Sequence, residues 1–344
     1  VPTLLFWVGI SFFMVHVVRI PFLALFILLG YLLLNTFILS NVAYGSIDVW
    51  STDVPNVFSS LTGHVGPGLY LLQRFSFVVL AGGMLLGSVI FQKRLTDRER
   101  CFRKLLGVAI GAVVLGGMLG YGYYSHYEEM NQKRRDYIVQ YEKNRPEQNI
   151  EIKSQDIVFK QEGDQIMVVD DLILENNCSR KIEKIGLFLN PGLQVEQIKT
   201  EDRVIDFVRE KQVLVLKECF LPHEVKCIQI SYIGEIDESI CYLDLGDKIH
   251  TNPLDNQAIM SHGRHAAFVS DRFTWLTPEC LWYPVRIPPV DPLLPNQSER
   301  DFTSFRLSVI CDTTLTVISQ GVRIRNKDTV CFTNMQALSG LTLC

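Results

Sequence analysis

Two long apolar runs, Phe75–Phe91 and Leu105–Tyr124, enclose a short basic loop, Gln92–Lys104, and no other feature limits the fold so strongly. Each run approaches the ~20 apolar residues needed to cross a hydrocarbon core, and neither holds a charge. Apolar residues go all round each helix rather than forming one stripe, which argues against the buried helical hairpin of a soluble protein. The loop carries Lys93, Arg94, Arg98, Arg100, Arg103 and Lys104. Lys and Arg collect on the cytoplasmic side of short loops, so these six residues set the orientation of the chain.

Two further apolar runs precede this hairpin, Leu4–Val18 and Phe22–Leu39, parted by Arg19-Ile20-Pro21. Their combined length is too great for one crossing. Residues 1–124 are thus expected to form a membrane domain of about four helices, at 4–18, 22–39, 75–91 and 105–124. The connection Asn41–Arg74 is rich in Gly and Pro and holds Asp48 and Asp53 without a basic residue before Arg74. Within it, Gly66–Leu72 either starts the third helix early or forms a half-embedded segment, and His64 reads as a loop residue. Counting outward from the basic loop places Asn41–Arg74 and everything after Tyr124 outside the cytoplasm. Gly107, Gly111, Gly116 and Gly120 form small-xxx-small pairs of the kind that let helix backbones approach closely. No span holds an Asp, Glu or Lys that would mark an ion path. Membrane lipid is the partner this part implies.

Charge is confined mostly to the rest of the chain. Overall 20% of residues are charged and the net charge is -4. With no basic patch beyond the loop, nucleic acid is not an expected partner. An aromatic cluster, Tyr121–Tyr127, suited to a membrane interface, marks the end of the fourth run, and residues 125–149 read as a charged helical linker. From Ile150 the pattern turns to strands: 156–160, 165–169, 172–174, 185–189, 213–216, 225–232, 305–309, 315–318 and 330–332. Many short strands between turn signals such as Asn190-Pro-Gly192 predict an all-β domain, a β-sandwich, over 150–344. The nine cysteines show no C-x-x-C spacing and read as buried thiols, with Cys219 and Cys227 the best pair if any bridge forms.

Several segments in order carry a resemblance. They are Leu221-Pro-His-Glu224, the alternating Val225–Tyr232, Ile233-Gly-Glu-Ile-Asp237, Phe273–Pro284, Phe305–Val309 and Leu315–Gly321. As a set they resemble the N-terminal β-domain of aminopeptidase N-like zinc metallopeptidases. Joined to a multi-helix membrane segment, the chain resembles bacterial fusions of an ABC transporter permease with an aminopeptidase-like part. Both ends read as cut. The resemblance implies a multi-pass inner-membrane protein with an extracytoplasmic β-domain that orients a peptide substrate and packs on a catalytic domain. It also implies an ABC ATPase subunit as a partner.

The family's zinc site needs H-E-x-x-H on a helix and a further Glu, and this sequence has none. The nearest set, His223-Glu224-Val-Lys-Cys227, follows a Pro and enters a strand, and G-x-M-E-N is also absent. Catalytic and metal residues are therefore expected to be none here, with zinc confined to a C-terminal domain beyond this chain. His262-Gly-Arg-His265 has metal-like spacing but no third ligand near it, and reads as a loop. Trp275, Pro278, Glu279, Trp282 and Tyr283 form a dense aromatic and proline cluster, read either as a domain-packing plug or as a substrate subsite. Rival functions are a membrane-anchored binding or sensing module, and a transporter subunit whose β-domain docks a partner.

Overall fold

The structure, a computed structural model, describes residues 1–40, 42–52, 54, 56, 58–59, 63–64, 67–92, 99–145, 150–201, 203–243, 266–293 and 300–344. Its contacts divide these residues into two compact units, 1–130 in the first, and 131–243 with 266–344 in the second.

The first unit is helical. Helix α1 (Pro2–Val18) ends at Arg19 in the left-handed conformation, and α2 (Pro21–Leu34) runs into one π-helical turn, Asn35–Leu39. Both start on a proline, whose missing N–H costs nothing in a first turn. A 3-10 turn (Val42–Gly45) and a tiny hairpin, β1 (Phe58–Ser59) with β2 (Gly63–His64), lead to α3 (Pro67–Phe91) and α4 (Glu99–Lys143). The stretches Pro21–Leu39, Pro67–Phe91 and Arg103–Lys143 are long and apolar enough to cross a membrane, whereas α1 is a shorter apolar helix of 17 residues. At 1.5 Å per residue α1 covers only ~25 Å of a ~30 Å core. Helix α4 continues without a break through the region expected to be a separate linker.

Because α3 begins at Pro67, Arg74 lies inside a helix rather than at a loop end, and it is 5% exposed. Its guanidinium donates to Gln73 Oε1 at 2.7 Å and to the backbone carbonyls of Asp48 and Val49 at 2.8 and 3.0 Å. Asn35, first residue of the π-helical turn, holds the same loop, donating to Ile47 O and accepting from Val49 N–H. A buried charge survives only when such partners surround it.

The second unit is built on a seven-stranded sheet. Its strands are β3 (Ile150–Glu162), β4 (Gln165–Asn176), β6 (Leu193–Lys199), β9 (Val225–Gly234), β12 (Ser304–Ile310), β13 (Val322–Asn326) and β14 (Thr329–Thr333), in the order β13-β14-β12-β3-β4-β9-β6. All neighbours are antiparallel except β12 and β3, where Leu307 faces Ile157. A second sheet, β5 (Ile185–Phe188), β7 (Phe207–Glu210) and β8 (Val213–Leu216), has the order β5-β8-β7. A hairpin of β10 (Ala267–Val269) and β11 (Thr274–Leu276) completes the strands.

Strand alternation sends Ile157, Phe159, Ile166, Val168, Ile228 and Ile230 into one core, which the three-stranded sheet closes with Leu187, Phe188, Leu214 and Leu216. Tyr137 and Tyr141, one turn apart on α4, are buried in the same core. The expected all-β domain is therefore a large sheet with a small one against it, plus the end of a helix.

Two strand assignments change. Segments 165–169 and 172–174 are one strand, because Asp170 is not a break but a buried core residue. Segment 315–318 is a loop: the Asp312 carboxylate accepts from Thr314 N and Oγ1, and Arg325 donates to the carbonyls of Asp312 and Leu315. Such side-chain bonds offer the backbone an alternative to a ladder.

Candidate functional site

The segment from Thr277 to Arg286 turns sharply through a 3-10 turn, Pro278–Cys280, and leaves it at Leu281 with φ 54°. A left-handed conformation at a non-glycine residue costs ~1–2 kcal/mol. Here it divides the segment: Glu279 stays half-buried at the rim, while Trp282 and Tyr283 enter the core at 0% and 1% exposure. The Trp282 ring lies edge-on to Phe159 and Tyr283, with centroids 5.9 and 4.9 Å away. Its Nε1 donates to Leu341 O at 3.1 Å, and its carbonyl accepts from the Tyr232 hydroxyl at 3.1 Å. The Tyr283 hydroxyl accepts from Leu341 N–H at 2.9 Å. Burial pushes the Tyr283 phenol and the Cys280 thiol well above their ordinary values, so both stay neutral.

Asn190 clamps the turn from beneath. Fully buried, it donates to the carbonyls of Cys280 and Asp237 and accepts from Gly192 N–H and Asp237 N–H. Arg209 in turn donates to the carbonyls of Leu189 and Asn190, and burial lowers its pKa to about 10. The Asn190 loop reaches this position because two glycines touch: a Cβ at Gly192 would lie 2.1 Å from Glu235 O, and Gly234 adopts φ +151°. Only glycine suits such a contact. The sequence marks Asn190-Pro-Gly192 as a turn, but its role in holding Glu279 depends on a contact 90 residues away.

Behind the aromatic pair, the Gln155 amide bridges Asp170 Oδ2 at 3.1 Å and Pro284 O at 2.7 Å. The other Asp170 oxygen has no partner among the described residues. Burial, with Asp171 and Asp156 nearby, holds the Asp170 carboxyl well above the usual range.

Pro278, Glu279 and Tyr283 line a cavity of about 360 Å³ between this segment, the start of β12 and residues 338–342. Glu279 makes no ion pair or side-chain hydrogen bond with any described residue. Trp275 stands apart, 36% exposed on the β10–β11 hairpin and opposite Phe268. Pro278 sits against Gly340, where a Cβ would come within 2.6 Å of its ring.

The other sequence-predicted residues lie elsewhere. Gly116 packs on α3, a Cβ there meeting Leu80 at 2.6 Å, and Gly120 lies beside Ser76, while Gly107 and Gly111 face open space. Arg103 and Lys104 are exposed on α4 and Arg100 is on its first turn; Lys93, Arg94 and Arg98 fall outside the described residues. His223 sits at a turn with φ 60°, the Glu224 carboxylate accepts from Leu221 N–H at 2.6 Å, and Cys227 is exposed on β9. Among the described residues no group of three or more His, Cys, Asp and Glu could hold a metal ion. His262 and His265 lie outside those residues, and Cys219 and Cys227 are free thiols.

No protein-family profile and no curated protein matches the sequence. Solved structures do match. A mutant M1 zinc metallopeptidase from Deinococcus radiodurans is 12% identical with a TM-score of 0.42, over 58% of this chain and 43% of that one. Legionella pneumophila aminopeptidase A in complex with aspartic acid is 10% identical with a TM-score of 0.41, over 58% of this chain and 22% of its own. Native yeast LTA4 hydrolase is 11% identical with a TM-score of 0.37, over 57% and 29%. The chain spans less than half the length of each.

Proposed function

We propose that the second unit is a non-catalytic module of an aminopeptidase-like zinc metallopeptidase, anchored by the preceding helices, which receives and orients the free amino end of a peptide. The observation that carries this is Glu279, half-buried and lining a cavity, whose carboxylate makes no ion pair or side-chain hydrogen bond with any described residue. A primary ammonium group is its complement, since a carboxylate can only accept hydrogen bonds and an ammonium only donates. Zinc and hydrolysis would belong to an H-E-x-x-H domain elsewhere in a longer chain, which the ordered motifs imply. Trp282 and Tyr283 serve as the rigid floor under Glu279 rather than as a subsite. In this reading the protein sits in the inner membrane with this unit outside the cytoplasm, a reading supported by three helices long and apolar enough to cross a membrane and by the basic loop, and a permease-like arrangement would add an ABC ATPase partner.

The test is calorimetric titration of the full chain in detergent with leucinamide and N-acetyl-leucinamide. A charge-assisted hydrogen bond is worth ~1.5–3 kcal/mol, so acetylation should weaken binding by about tenfold or more. Glu279→Gln should remove that difference. Equal binding of the two compounds by the unaltered protein would contradict the proposal.

A further inference from the structure

Four charged side chains line the 360 Å³ cavity: Glu279, Arg286, Arg300 and Asp301. Two of them neutralise each other. Arg286 Nε donates to Asp301 Oδ2 at 2.9 Å and Nη2 to the second carboxylate oxygen, with the two side chains only 10% and 20% exposed. That fork is closed and leaves little for a ligand. Glu279 and Arg300 remain, and neither makes an ion pair or side-chain hydrogen bond with any described residue. They do not pair with each other either, so one cavity holds two opposite charges that no described side chain neutralises.

We infer that the cavity takes a zwitterion, a short peptide with both ends free, whose ammonium meets Glu279 and whose carboxylate meets Arg300. The first half rests on the function proposed above; the second half is new. Guanidinium matches a carboxylate with two parallel N–H donors, and no side-chain bond to a described residue occupies those of Arg300. Size points the same way. Ligand cavities run from ~300 to ~1,000 Å³, and this one is near the lower limit at about 360 Å³. A long polypeptide threaded past Glu279 would carry its carboxylate out of reach, whereas a peptide of two or three residues keeps both ends inside. The substrates selected are therefore small peptides rather than the ends of folded proteins.

The experiment uses the full chain in detergent and four ligands: Leu-Leu, its N-acetyl form, its C-terminal amide, and the doubly blocked form. Amidation should weaken binding by about tenfold, the scale of one charge-assisted contact. In Arg300→Gln the free acid and the amide should bind alike, and Arg300→Lys should restore part of the preference. Arg300 is exposed, so neither variant should alter the melting midpoint. If acetylation weakens binding but amidation does not, the Arg300 contact is overturned and the amine reading stands. If amidation weakens binding and acetylation does not, the carboxylate contact stands and the amine reading falls. Indifference to both modifications overturns both.

Discussion

In the first unit Phe22, Phe26 and Met118 are 80%, 69% and 65% exposed, while Arg74 is 5% exposed and Asn35 and Gln73 are wholly buried. The second unit reverses this: Trp282, Leu172 and Phe220 are fully buried, and the rim of its cavity is charged. The same chain thus follows two opposite rules of placement. In the second unit apolar area leaves water at ~25 cal/mol per Å² gained. In the first, apolar side chains gain nothing by turning inward if hydrocarbon already surrounds them, and polar groups must find partners inside. Packing there depends on close approach, as where a Cβ at Gly9 would lie 2.9 Å from Ala81 O.

The contrast is sharpest for large side chains. Trp282→Ala removes an indole that is fully buried and hydrogen-bonded. Unfolding of the second unit should lose ~3–5 kcal/mol, read as a drop in denaturant midpoint. Met118→Ala, at an exposed position of α4, should leave thermal stability in detergent almost unchanged. A large loss for Met118→Ala would mean that this helix face is a buried core.

A smaller effect separates glycines of one helix. Gly116→Leu drives a side chain into Leu80, whereas Gly111→Leu enters open space. Overpacking costs ~1–3 kcal/mol, so only the Gly116 variant should lower the melting temperature of the full chain. Equal tolerance of both would remove α3–α4 packing from the account.

The smallest effect is one of pH. Asp170 is buried, and its raised pKa keeps it protonated in the folded state above the ~3.9 of an unfolded aspartate. Its stabilisation is complete below that unfolded value and is lost as pH rises through the folded one. The native second unit should therefore lose stability relative to Asp170→Asn as pH rises from 4 to 7. Parallel pH curves for the two proteins would show Asp170 to be solvated.

The apolar helices are legible in the sequence because long uncharged runs mark them, and the core strands because Val225–Tyr232 and its like alternate. Trp282 and Tyr283 stand out in the sequence as a dense pair between prolines, with Glu279 close beside them. Its cavity was not visible, since its walls come from Gln155, Asp301 and Gly340, which only the sheet order brings together. Tyr137 and Tyr141 read as part of a charged linker, because two tyrosines one turn apart are a faint stripe among Glu, Lys and Arg. Arg74 reads as the end of a connection when the third helix is begun at Phe75, and the alternative of an early start within Gly66–Leu72 is the one the structure takes. Pro67 starts α3. Local chemistry showed which residues were unusual; long-range pairing decided what they do.

The central claim is that the helices cross a membrane and hold the Glu279-bearing unit outside the cytoplasm. Cys227 is exposed on β9, whereas Cys101 belongs by sequence to the basic loop. An impermeant maleimide added to intact cells should label the protein at Cys227, the signal vanishing in Cys227→Ser, and should reach Cys101 only after permeabilisation. Labelling of Cys101 in intact cells, with Cys227 protected until the membrane is opened, would contradict the account.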